Sequence, residues 1–157
     1  MLAKYMFVFF LSMVPIIELR GAIPFAVSWE LDYWTALVVC TLGNMLPVPF
    51  IYFFARKVLI WGADKKYIGK FFRFCLEKGE KGGRKLTKRA GRGGLFVALM
   101  LFVGIPVPGT GAWTGTLAAS FLNMGIKSTV ASVSLGVVIA GIIMGIASTG
   151  VFSVLGL

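Results

Sequence analysis

Glu18 and Arg20 stand two residues apart in a stretch, Tyr5 to Trp29, that carries no other charge. They are set in Pro15-Ile-Ile-Glu-Leu-Arg-Gly-Ala-Ile-Pro24, where Gly21 and Pro24 allow irregular backbone. A carboxylate in apolar surroundings can exchange a proton or hold a cation, and a guanidinium can clamp an anionic group. The plainer alternative is a structural ion pair between the two. A second motif, Pro106-Val-Pro-Gly-Thr-Gly-Ala-Trp-Thr-Gly115, is uncharged and offers different chemistry. After Pro108 and Gly109 the chain can restart a helix, whose first N–H groups lack intrahelical acceptors and attract anions. Thr110 and Thr114 add hydroxyls, Trp113 adds an aromatic face, and Gly111 permits close approach. Helix packing alone also accounts for these glycines. Asn44, just ahead of Pro47-Val-Pro49, is expected to hydrogen-bond to the second motif, with the prolines kinking its helix.

Other chemistries have little to work with. The chain has no His and two cysteines, Cys40 in an apolar run and Cys75 in a basic one. That leaves no metal set, no disulfide framework and no nucleophile–base pair. The expectation is a protein that is not an enzyme and uses no cofactor.

The elements that must hold these motifs are membrane elements. Of 157 residues, 58% are hydrophobic and 14% charged, and mean hydropathy is +0.89. The apolar residues come in charge-free runs: Trp34 to Ala55, Gly94 to Ile126 and Ser128 to Leu157. Roughly 20 apolar helical residues cross a bilayer core about 30 Å thick, and a soluble chain of this size cannot bury three such runs. The apolar run after Lys4 resembles a signal peptide but lacks a small-residue cleavage site, so it is read as retained.

The two halves share a plan. Each starts with an apolar arm, Tyr5–Ile17 or Leu95–Val107, and meets its Pro/Gly motif. A second arm follows (Ala22–Trp29; Ala112–Leu122), then a polar break and a long apolar run. Arms of this length reach about half-way through a bilayer at 1.5 Å per residue. We therefore expect an all-α integral membrane fold of inverted repeats, each a re-entrant helical hairpin plus a transmembrane helix. The first repeat takes residues 1–61 (hairpin 5–29, transmembrane helix 34–55). The second takes 94–157 (hairpin 94–122, transmembrane helix 128–150). Broken helices meeting at the midplane are a recurring transporter arrangement; four kinked spanning helices are the alternative.

Between the repeats lies a basic segment, 62–93. From Arg56 to Arg92 there are 13 Lys/Arg against 3 acids, whereas the charges elsewhere cancel. The positive-inside rule accounts for the block and makes 56–92 cytoplasmic in the cell (plasma) membrane, without a nucleic-acid partner. Ile68, Phe71, Phe72 and Cys75 at helical spacing, ringed by Lys65, Lys66, Lys70 and Arg73, read as an amphipathic helix on anionic lipid. Gly79 and Gly82-Gly83 should end it. Gly141-Ile-Ile-Met-Gly145 marks close helix packing, within the monomer or in a homodimer.

At Glu18-Leu-Arg-Gly-Ala-Ile-Pro24 and Pro106–Gly115 the sequence resembles the putative small multi-drug export family over nearly its whole length. The paired-hairpin layout also resembles the DedA family, whose members are linked to movement of lipid phosphates. What the resemblance implies is a small multi-pass transporter working among membrane lipids, with a small-molecule or lipid-phosphate substrate. The expected site lies between the two motifs. A lipid-phosphate flippase or scramblase, and a non-transporting scaffold that binds anionic lipid through its basic loop, are the alternatives.

Overall fold

The computed structural model describes residues 1–107 and 109–155, side chains at 75, 76, 78–80, 82, 83, 86, 87 and 152–155 excepted. What the sequence implies for Pro108 and for the Cys75 side chain therefore falls outside the described residues. Seven helices follow in order: α1 Leu2–Met13, α2 Glu18–Ser28, α3 Tyr33–Met45, α4 Val48–Ala63, α5 Gly69–Gly104, α6 Ala112–Phe121 and α7 Ile126–Leu155. No strand occurs among the described residues.

Proline sets where the arms stop. The residue before a proline is pushed out of the helical region. Val14, ahead of Pro15, is extended (φ −71°, ψ 128°) and ends α1. Ile105, ahead of Pro106, is extended (φ −77°, ψ 119°) and ends α5. Both arms end three or four residues earlier than their apolar runs suggest, so Glu18 and Arg20 lie in the first turn of α2 rather than in the loop before it. The far ends of α2 and α6 also match. Leu31 N–H reaches Ala26 C=O, and Met124 N–H reaches Ala119 C=O, each at 3.0 Å. Glu30 (φ 56°) and Asn123 (φ 58°) take the left-handed conformation that this closure needs.

α3 and α4 form one apolar rod, Tyr33–Ala63, bent where Pro47 lacks an N–H to give Gly43. It continues past Arg56 and Lys57, further than its charge-free run. α7, at 30 residues, is about 45 Å long. Both rods are long and apolar enough to cross a membrane.

α5 departs from expectation. Gly79, Gly82 and Gly83 do not end it; the helix runs on to Gly104 and bends at Gly91 (φ 71°, ψ 177°). A helical glycine costs about 1 kcal/mol, which weakens a helix without ending it. The start of α5 is fastened to α4: Arg73 Nε donates to Ala63 C=O at 3.0 Å, and the Phe72 ring lies against Gly62. Lys65 sits 4.4 Å from the Trp61 ring centroid, while Lys66 and Lys70 are exposed.

The core lies where α7 passes α2, α3, α5 and α6, around Leu19, Ile23, Val103, Val133 and Val137. The small-residue face of α7 is used within the chain. A methyl at Gly136 would come 2.6 Å from the Met100 carbonyl, at Gly141 2.3 Å from Leu37, and at Gly145 2.3 Å from the Tyr33 ring. Outside this core the surface is apolar: Phe50 is 72% exposed, Phe54 69% and Leu42 61%. A water-soluble monomer does not carry such a belt. The molecule is built for lipid.

Helix contacts come in matching pairs. α1 packs on α2 and α3 as α5 packs on α6 and α7, while α2 meets α7 as α6 meets α4.

Candidate functional site: the joint between the two turns

Met13, Glu18 and Arg20, beside the first break, are hydrogen-bonded to Val103, Ile105, Ala112 and Trp113, beside the second. Glu18 opens α2 from a tight turn in which Ile16 (φ 79°) and Glu18 itself (φ 50°) hold positive φ. For a β-branched residue this costs about 1–3 kcal/mol and persists only where the surroundings enforce it. The Glu18 side chain is buried at 6% exposure and its carboxylate accepts two backbone N–H groups, from Ala112 at 3.2 Å and Trp113 at 3.1 Å. These are the first two residues of α6. The carboxylate caps the helix, and the positive end of the helix dipole favours its charge.

Arg20 serves the other break. Its guanidinium donates to the carbonyls of Val103 (3.0 Å) and Ile105 (3.1 Å), to those of Val107 and Thr110, and to Thr110 Oγ1 (3.1 Å). The Ile105 and Val107 carbonyls each accept one backbone N–H as well, from Val107 (2.8 Å) and Thr110 (3.2 Å), and the dipole at the end of α5 favours a cation. The two charges are therefore sorted by helix polarity, acid on the start of α6 and base on the end of α5. No ion pair joins Glu18 to Arg20 by direct contact among the described residues.

The joint is reciprocal. Trp113 Nε1, from α6, donates to the carbonyl of Met13, the last residue of α1, at 3.3 Å. Thr110 Oγ1 also donates within its own turn, to Ile105 or Val107 at 2.8 Å, and Thr114 bonds to Gly111 C=O at 3.2 Å. Gly109 (φ 88°) supplies the left-handed residue that lets the turn close. Gly111 is extended, a conformation open to any residue, and is needed for a different reason: a Cβ there would lie 1.8 Å from Glu18 Oε2.

Asn44 comes to the same place, from the bend in the α3–α4 rod. It is 2% exposed, yet its side-chain oxygen has no partner. Among the described residues, the expected hydrogen bond to the opposite turn is absent. Asn44 instead lines a cavity of about 10 Å³ with Glu18, Arg20, Val103, Ala112 and Val137. That is room for about one water, which would satisfy the orphaned oxygen. Gly21 packs on Ile17, and Pro24 lies inside α2, half-buried and away from this cavity. Lys65, Lys66, Lys70 and Arg73 lie apart from the joint.

Sequence reasoning did not find the Val103, Ile105, Val107 and Met13 carbonyls. Backbone acceptors carry no residue signature, and Pro15 and Pro106 mark only where the two helices stop. Nor did it foresee that the α6 N-terminus is occupied from within the chain. In this conformation Glu18 fills it, and Arg20 is saturated with carbonyls.

An all-helical membrane protein with broken helices joined at a buried polar centre is the class that fold and site define. A family model described as putative small multi-drug export protein matches residues 18–143. The chain belongs to that family. Neither the curated proteins nor the solved structures contain a match to it.

Proposed function

We propose that this protein is a small membrane transporter that moves a small amphipathic or anionic lipid-like substrate through the joint between its two turns. One observation carries the reading: both central charges are spent on the opposite hairpin's broken backbone. Opening the joint frees the α6 N–H groups and the Arg20 guanidinium together. An anionic headgroup then takes the place of Glu18 on Ala112 and Trp113 and draws Arg20 from its carbonyls. A proton on Glu18 removes the competing charge, which couples substrate binding to proton exchange.

On this reading the hairpins are re-entrant and the two halves are inverted repeats, in the cell membrane with segment 56–92 cytoplasmic. Three features support it. Lys4 lies over the Trp29 ring at 5.8 Å, which puts both ends of the first hairpin on one side. Arg92 and Lys127 border one pocket, which does the same for the second. The hydrogen bonds that join the two hairpins run between residues beside their turns, which favours open ends facing opposite ways. With the α7 glycines used internally, a homodimer would pair through the lipid-facing surface instead.

A lipid-phosphate flippase or scramblase is the second reading, favoured by the planar, multi-donor guanidinium of Arg20 at the joint. Purified protein in liposomes separates the two. Movement of a fluorescent phospholipid phosphate that fails in Arg20→Ala selects the lipid-phosphate reading. Accumulation of a cationic dye that loses its pH dependence in Glu18→Gln selects drug export. Neither movement in the wild-type chain would reject transport and leave the scaffold reading.

A further inference from the structure

The second hairpin closes on a pocket of about 680 Å³ that lies away from the joint, where α5 enters, α6 ends and α7 begins. Among the described residues its lining holds the cations Arg84, Lys88, Arg92 and Lys127 and no acid. Arg56 adds a fifth positive charge beside it, donating to the side-chain oxygen of Asn123 in the pocket wall. Leu95, Leu122 and Met124 supply an apolar wall. Arg92 and Lys127 are also the last charge before, and the first after, the charge-free run Gly94 to Ile126. The bend at Gly91 sets the basic part of α5 at an angle to its apolar part at this point.

Like charges converging in one cleft repel, and the cleft concentrates their field on a counter-ion. One phosphodiester brings a single negative charge to Lys88, Arg92 and Lys127. A phosphate monoester brings about −1.5 to −2 near neutral pH. α7 starts at Ile126 among the lining residues Gly125, Lys127 and Ser128, and the first N–H groups of a helix lack intrahelical acceptors. An apolar wall next to the charges suits a ligand whose phosphate is attached to hydrocarbon. The flanking of an apolar run by Arg92 and Lys127 sets the pocket at the water–lipid boundary, where anionic headgroups are found.

We propose that this pocket is a binding site for a membrane lipid bearing a phosphate monoester headgroup. It is separate from the Glu18–Arg20 joint and does not depend on what the joint transports.

Native mass spectrometry of the purified full-length chain in detergent tests this, with dioleoyl phosphatidic acid, dioleoyl phosphatidylglycerol and dioleoyl phosphatidylcholine as probes. Phosphatidic acid should be retained in preference to the other two. Arg92→Gln/Lys127→Gln should weaken that retention about tenfold or more. Lys66→Gln/Lys70→Gln, which removes the same charge elsewhere on the loop, should leave it unchanged, and Arg92→Lys/Lys127→Arg should restore most of it. Equal loss in the Lys66/Lys70 variant would reduce the effect to general attraction and overturn the site. Equal retention of phosphatidylglycerol would overturn the monoester preference. Displacement by millimolar glycerol 3-phosphate would point to a soluble phosphate ligand and overturn the lipid source. The wild-type probe comparison stands even if the double variant fails to fold. Because no translocation is read, failure here leaves the transport reading untouched, and the converse holds.

Discussion

Glu18 occupies the space that a side chain at Gly111 would need. A Cβ at Gly111 would fall 1.8 Å from Oε2 and 2.2 Å from Cδ of the carboxylate. This contact lets an acid on α2 close the N-terminus of α6, so α1–α2 and α5–α6 cannot be described as independent units. Gly111→Ala is expected to displace the carboxylate and lower stability by about 1–3 kcal/mol. Thermal unfolding in detergent measures it. In a Glu18→Ala background the same change should cost much less, because the clash has gone; additive losses would show that the two residues do not compete for this space.

Arg20 is expected to resist conservative replacement. Lysine has three donors on a flexible stem and cannot serve carbonyls spread from Val103 to Thr110 in one plane. Arg20→Lys should destabilise by about 1–3 kcal/mol, with faster hydrogen exchange in 103–110. Unchanged exchange there would mean that the turn holds itself together without the guanidinium.

Trp113→Phe removes one N–H and keeps most of the ring. The Met13 carbonyl then loses its donor, and the expected loss is about 0.5–1.5 kcal/mol. A loss as large as that of Trp113→Ala would assign the tryptophan's contribution to packing instead of to the hydrogen bond.

Gly145→Ile bears on where the small-residue face works. The Tyr33 ring fills the space over Gly145, and Tyr33 OH donates to Gly141 C=O at 3.1 Å. The variant should unfold more easily without a change in oligomeric state, read by unfolding and by light scattering in detergent. A shift in oligomeric state at unchanged stability would move this face to an interface between copies.

Asp32 caps α3, accepting from Thr35 N–H at 2.8 Å and Thr35 Oγ1 at 2.6 Å. The Thr35 side-chain bond first, and then the backbone bond, hold its carboxyl below the ordinary 3.8. A carboxyl lowered in the folded state adds stability above its unfolded value, and that contribution is lost as pH falls through the folded one. Stability should therefore fall below about pH 4, and Asp32→Asn, which keeps a cap, should flatten this part of the pH profile. An identical acid limb in the variant would place the titrating group elsewhere.

How far the sequence reaches can be read from particular residues. Charge-free runs define a chain made for lipid, because no interior of this size hides them. Pro15 and Pro106 mark where two helices must stop, since the ring acts on the residue before it whatever the fold. Gly109 marks a left-handed turn for an equally local reason. The basic segment shows its charge just as openly, with 13 Lys/Arg from Arg56 to Arg92. These are properties of short stretches, and short stretches carry them openly.

The partners of Glu18 and Arg20 are another matter. Nothing in Glu18-Leu-Arg20 says that the acid will cap a helix starting 94 residues later, or that the base will collect carbonyls instead of a neighbouring carboxylate. The acceptors and donors are backbone atoms, identical in every residue, and which of them go without a partner depends on where helices break and which ends meet. The same holds for α5, whose glycines weaken the helix without ending it, and for Arg92 and Lys127, distant in sequence and joined at one pocket. Local chemistry determined what each segment is; the meeting of two broken helices decided what its charges do.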